Sequence, residues 1–224
     1  MNSNSLFAAV LSCSVFFASC VVTSTALAVE PDDLNSVTFR NRTGYDIVYL
    51  FLSPGDSSEW GTDILGSSTY FYDGDNRSFY IYYPDRCNNF DIMAIDEDDD
   101  AYILWDYEIC DNASETVTFT LADLNDEAPD FNLVTLNIYN DTDYDMHYVF
   151  FSPGDSEMWG VDQLDDETIL SPYETVSLLL PAEGKPTTYD VHAVDEDEDT
   201  YTFSVDIDTS RSVWTIPIEY SDMD

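Results

Sequence analysis

Lysine is nearly absent from this chain: Lys185 is the single one among 224 residues. Lysine and arginine together number 6 against 46 acidic residues, and the formal net charge is −40. A surface that negative repels nucleic acid and anionic membranes alike, so neither is expected as a partner. Histidine is scarce too. His147 and His192 have Val48 and Met93 at the matching places of the repeat described below, which excludes a repeated histidine-based catalytic or zinc site. No G-x-S-x-G, H-E-x-x-H, phosphate-loop or dinucleotide motif occurs. No segment sustains a helical period. Past the N-terminal apolar stretch, none is long and apolar enough to span a bilayer.

What is present is apolar and aromatic. Hydrophobic residues make up 44% and aromatic ones 15%, in alternating runs of Tyr, Phe, Ile and Val. That separates the chain from acidic disordered sequences and predicts a packed core. Two motifs return at one offset. Ser53-Pro54-Gly55-Asp56-Ser57 with Trp60-Gly61 recurs 99 residues later as Ser152-Pro153-Gly154-Asp155-Ser156 with Trp159-Gly160. Asp96-Glu97-Asp98-Asp99-Asp100-Ala101-Tyr102 recurs, also 99 residues later, as Asp195-Glu196-Asp197-Glu198-Asp199-Thr200-Tyr201. A shared offset at two anchors reads as a tandem duplication.

Leu6 to Val22 is mostly apolar and is followed by Thr25-Ala26-Leu27-Ala28. This predicts a secretory signal peptide over 1–28, cleaved after Ala28, and hence a secreted or periplasmic protein. An uncleaved anchor, or lipidation through Phe17-Ala18-Ser19-Cys20, are the alternatives. Two of the four cysteines lie in that segment. The remaining pair, Cys87 and Cys110, is expected to form a disulfide, a staple on the first repeat with no counterpart in the second.

The strands expected in the first copy are Val37–Phe39, Tyr45–Leu52, Ser68–Tyr72, Ser78–Tyr83, Phe90–Ile95, Tyr102–Tyr107 and Glu115–Leu121, with Tyr45–Leu52 central. Pro54-Gly55 breaks the second of these, and Asp56 or Ser57 could cap a single helical turn carrying Trp60 and Leu65 inward. The second copy follows the same order. The fold class predicted is therefore all-β: two tandem antiparallel immunoglobulin-like β-sandwich modules, at 36–121 and 133–219, joined by a short acidic linker at 122–132 that holds them in a fairly fixed relation.

Alternate residues of a strand share a face, so Asp96, Asp98 and Asp100, and likewise Asp195, Asp197 and Asp199, are candidate ligands of a divalent cation. Calcium, which takes several hard oxygen ligands, is the cofactor expected. Asp56, Asp63, Asp155 and Asp162 are candidate further ligands if the Pro-Gly loops lie at the same end of each sandwich. The competing reading is a solvated acidic turn that blocks edge pairing. Trp60 and Trp159 are expected to plug the core. Asn41, Asn76, Asn112 and Asn140 stand in N-x-Ser/Thr sequons.

The pattern S-P-G-D-S-x-x-W-G-x-D-x-L with a later Φ-D-E-D-x-D-x-Y resembles a module of exported bacterial proteins of unassigned function. Ser53–Leu65 and Ile95–Tyr102 carry the likeness, with Ser152–Trp159 and Val194–Tyr201. The resemblance implies an exported sandwich and no activity. Its acidic stretch often reads D-E-D-G-D. Asp99 and Glu198 stand in place of that glycine, which weighs against a tight glycine-type turn. The function expected is a secreted, non-enzymatic protein that binds divalent cations through its acidic hairpins. Its expected partner is a cell-surface, matrix or mineral component. Two alternatives stand beside it: a structural or partner-binding protein whose acidity serves solubility, and a carbohydrate-active enzyme using paired carboxylates.

Overall fold

The computed structural model describes residues 34–66, 69–110, 115–125, 132–164, 168–182 and 184–224. The expected signal peptide and Asn112 lie outside them. The described chain is β throughout, with no helix beyond short 3-10 turns. Its first half holds β1 (Asn35–Arg42), β2 (Ile47–Pro54), β3 (Asn76–Tyr82), β4 (Cys87–Asp96), β5 (Ala101–Cys110) and β6 (Thr116–Thr120). The second half holds β7 (Asn132–Asn140), β8 (Met146–Pro153), β9 (Gly160–Val161), β10 (Thr175–Ala182), β11 (Thr187–Asp195), β12 (Thr200–Ile207) and β13 (Val213–Ile218).

Each half pairs its strands in the same way. In one sheet β1 lies between β3, antiparallel, and β6, parallel; β7 lies likewise between β10 and β13. In the other, β4 is flanked by β2 and β5, and β11 by β8 and β12. Alternation decides which side chains turn inward: Val37, Phe39 and Asn41 from β1, and Val134, Leu136, Ile138 and Asn140 from β7. Side chains from both sheets of a half meet in one core, with Phe39, Leu50, Ile81, Ile92 and Phe119 in the first, and Ile138, Val149, Leu180, Val191 and Ile218 in the second.

Three expectations need correction. The apolar stretch at 45–52 is not central: β4 is, and β2 sits at the sheet edge. The unbroken burial of its end, from Leu50 to Pro54, comes from the segment after Pro54, which folds back over it with Phe51 bridging Asp63. Of the strand expected over Ser68–Tyr72, Ser68 lies outside the described residues, and from Thr69 on Phe71 alone makes a bridge, to Ile47. The turn after Pro54 is not helical: Ser57 N donates to Pro54 O (3.1 Å), and Trp60 and Leu65 are buried without a helix to carry them.

The start of the expected linker belongs to the first half. Leu121–Asp123 forms a 3-10 turn capped by Thr120, and Asn125 N donates to Ala101 O (2.8 Å). Tyr220–Asp222 and Asp224 repeat this arrangement on β12.

The halves are joined by reciprocal contacts. Ser156 Oγ donates to Asp56 Oδ1 (2.7 Å), and Ser57 Oγ donates to Asp155 Oδ1 (2.6 Å). Asp63 N donates to Leu179 O on β10 (2.8 Å), and Asp162 N to Tyr80 O on β3 (3.0 Å). β9 of the second half extends the first half's sheet through β3. Leu34 packs with Tyr148 and Phe150 on the outer face of the second half, and Leu133 with Phe51 and Met93 on that of the first. Lys185 pairs with Glu59 across the junction (2.6 Å). These contacts tie the halves to one another directly. A protease site placed within 126–131 and cut is therefore expected to leave two fragments that co-elute in gel filtration under native conditions.

Candidate functional site: acidic hairpins and Pro-Gly loops

Each acidic hairpin is organised by its first aspartate. Between β4 and β5, Asp99 N donates to Asp96 O (3.1 Å) and Asp96 N donates to Asp100 O (3.0 Å). This closes a three-residue loop whose last residue, Asp99, is left-handed at φ 65°. The second hairpin repeats it, with Glu198 at φ 67°. The glycine-type turn is thus kept without glycine, against the expectation from the replaced residue. It is kept because the Asp96 side chain supplies what the backbone lacks. Asp96 Oδ1 accepts from the amides of Asp98 and Asp100 (both 3.0 Å), and Oδ2 accepts from Tyr102 OH (2.9 Å). Asp195 takes Asp197 N, Asp199 N and Tyr201 OH in the same way.

The candidate ligands therefore part company. Asp96 and Asp195 are buried beneath their turns, whereas Asp98, Asp100, Asp197 and Asp199 are exposed. Strand alternation does not put the three on one face, because the chain leaves the strand at Asp96. Asp56 and Asp155 do not join them either. Ile47 is in register with Asp96 but Pro54 with Phe90, so the Pro-Gly loop starts at the opposite end of the sheet, roughly 20 Å from the hairpin at about 3.3 Å per residue. The Asp56 and Asp155 carboxylates are engaged with the serines of each other's loops. Among the described residues, the one group bringing three metal-ligand atoms within 4.8 Å is Cys87, Glu108 and Cys110. Its two sulfurs are joined in the expected disulfide, so no thiolate is offered.

Asp63 and Asp162 are interior residues. Asp63 Oδ1 accepts from Leu50 N (2.9 Å) and Leu65 N (3.1 Å), and Asp162 Oδ1 from Val149 N (3.0 Å) and Leu164 N (3.2 Å). They close the chain segment that covers the β2 and β8 edges. Asp63 Oδ2 is buried without a partner. Burial pushes its carboxyl up to about 7, against the two amides that lower it. Burial likewise pushes the Tyr102 and Tyr201 hydroxyls up, reinforced by the bonds to Asp96 and Asp195. His192 lies stacked on Trp159 (4.9 Å between centroids), and burial lowers it to about 4. Trp60 is buried, but with Phe51 and Met93 on the outer face of the β2–β4–β5 sheet, and Trp159 is half-buried against Phe150 on the matching face of the second half, so neither plugs the core between the sheets as expected.

Asn41 and Asn140 stand in two of the sequons. Both are fully buried. Asn41 Nδ2 donates to Tyr45 O (2.7 Å) and Phe71 O (2.8 Å), while its Oδ1 accepts from Thr43 N and Oγ1. Asn140 does the same with Tyr144, Leu170 and Thr142. In the folded chain these amides are structural and closed to glycosylation; Asn76 is exposed. The repetition of N-x-T-x-Y-D at 41–46 and 140–145 was the available signal.

No family model matches the sequence, and no curated protein matches it. Among solved structures, a candidate adhesin from Bacteroides ovatus aligns over 84% of this chain and 91% of its own, at 9% identity and a TM-score of 0.27. At that level the likeness bears on neither fold nor role. Among the described residues no helix is long and apolar enough to cross a membrane.

Two outcomes follow from the buried carboxylates. Tyr102→Phe leaves Asp96 Oδ2 buried without its donor and is expected to cost about 1–3 kcal/mol in urea unfolding, and Tyr201→Phe the same. Asp63 binds its proton more tightly folded than unfolded. Its contribution to stability is complete below about pH 4 and is lost as the pH rises to about 7. Asp63→Asn removes that slope, so the variant should gain on the wild type by up to about 4 kcal/mol between these limits. Urea melts at pH 4.5 and 7.5 read the difference; His192 acts oppositely, its contribution being lost as the pH falls from 6.5 toward 4.

Proposed function

We propose that this chain is an exported, non-enzymatic protein built by duplication of one immunoglobulin-like module. On this reading it serves surface association or matrix building as one stiff unit that presents an acidic tip on each half. The parallel pairing of first and last strand, repeated in each half, supports the module reading. The observation that carries the stiffness is the exchange between Asp56 and Ser156 and between Asp155 and Ser57. It uses two carboxylates for assembly that a metal site would need. Asp96 and Asp195 are likewise spent on their own turns.

What remains for a divalent cation is the exposed set Glu97, Asp98, Asp99 and Asp100, with Glu196, Asp197, Glu198 and Asp199. Four adjacent like charges raise the local cation concentration without coordinating the ion. Calcium and magnesium then act alike, as counter-ions that relieve repulsion at each tip.

The test is thermal melting with 0–10 mM calcium or magnesium against sodium chloride of equal ionic strength. Both divalents are expected to raise Tm by a few degrees beyond the sodium control, and Asp98→Asn with Asp197→Asn to diminish the rise. Equal Tm in all three salts would leave the acidity to solubility alone. A rise with calcium only would require a coordinated site in place of a diffuse one.

A further inference from the structure

The halves differ at one place in their hairpins. In the second, β11 and β12 pair without interruption from Thr187–Ile207 to Val194–Thr200, with Asp190 opposite Ser204. In the first, Phe90 faces Tyr107 and Ile92 faces Leu104. Asp91 thus lies opposite two residues, Trp105 and Asp106, in a β-bulge. Ile109 and Ile207 hold the same ladder position, facing Asn88 and Thr187, and both are fully buried. They stand 98 residues apart, where the hairpin aspartates stand 99 apart. β5 therefore carries one residue more than β12, inserted at 105–106, that the fold manages without.

The insertion changes the surface chemistry. In the second half, Ser204 Oγ donates to Asp190 Oδ1 (2.6 Å) and closes the position with a neutral hydroxyl. In the first, Asp91 Oδ1 instead accepts from the backbone amide of Asp106 (2.8 Å), and Asp106 is held left-handed at φ 50°. Trp105 is 54% exposed, its ring 5.6 Å from that of buried Trp60 and tilted by 44°. Burial raises the Asp91 carboxyl, and the nearby Asp106 charge adds to the rise against the lowering amide bond. An indole face beside two like charges is complementary to a cation. The Cys87–Cys110 disulfide ties the same two strands just beyond the bulge and has no counterpart in the second half.

We propose that Trp105, Asp91 and Asp106 form a recognition site for an arginine side chain of a basic protein partner. The guanidinium plane stacks on the indole and its N–H groups reach the carboxylates, a geometry that an ammonium group matches less well. The formal charge of −40 draws such a partner in, and the bulge gives it a specific seat. Neither hairpin tip takes part, so this site stands apart from the cation reading above.

The experiment is calorimetric titration of the full disulfide-bonded chain with a tetra-arginine peptide, its citrulline analogue and tetra-lysine, in 150 mM sodium chloride. The arginine peptide is expected to bind more tightly than tetra-lysine, and the citrulline peptide not to bind. Trp105→Ser, which installs the second half's residue, should weaken arginine binding about tenfold with Tm unchanged, and Asp106→Asn should weaken it to a similar degree. Asp98→Asn with Asp197→Asn should leave it intact. Equal affinity in Trp105→Ser and wild type, or binding that follows only the overall charge, overturns the proposal. So does retention on a glycan panel that Trp105→Ser abolishes while the arginine peptide fails to bind, which would make the patch a carbohydrate platform.

Discussion

A buried carboxylate facing backbone amides recurs through this molecule and holds its loops in place. Asp96, Asp195, Asp63 and Asp162 each accept from two N–H groups that no strand partner satisfies. An unmet buried amide costs free energy comparable to a lost hydrogen bond, so these loops need an acceptor built into their own sequence. Aspartate fits the hairpins: one oxygen accepts from the amides two and four residues on, and the second oxygen is left for the tyrosine hydroxyl, which a serine would not supply. Some of the acidity is therefore interior carpentry, and only the remainder is a surface property.

The same economy governs the junction. Each Pro-Gly loop offers a carboxylate and a serine hydroxyl, and two copies facing one another satisfy both. This is the arrangement of a two-fold interface, in which one patch meets itself. Here both loops lie on a single chain, so the pairing is intramolecular. The polar exchange is reinforced by apolar contacts from Leu34 and Leu133, each at the start of its half's first strand and each covering the opposite half's outer face. The outer faces of β2 and β8 can be apolar because a loop and a neighbour cover them.

Against that near-symmetry, the departures stand out. His192 replaces Met93 in the packing beneath the second loop, where it stacks on Trp159 and lies near Phe150. The β5 bulge and the disulfide occur together in the first half alone. A feature that one half folds without is not required by the shared strand pairing. The bulge leaves a large indole facing solvent beside paired acids, a combination that burial does not explain.

Much of the fold was legible in the residues. Val37 and Phe39 locate β1, and Pro54-Gly55 marks where β2 ends, because side-chain periodicity and turn chemistry are local. The shared 99-residue offset identifies the corresponding loops from residue order alone. The central strand was misread because 45–52 is apolar on both faces, and the sequence does not say whether a strand or a loop covers the second face. The acidic run shows the same limit. The residue order alone established its charge and its recurrence. That Asp96 turns inward to Tyr102 while Asp98 turns outward, and that Asp56 meets the opposite loop at the far end of the sheet, depends on register and on which halves touch. Those are contacts between residues distant along the chain, and only tertiary structure decides them.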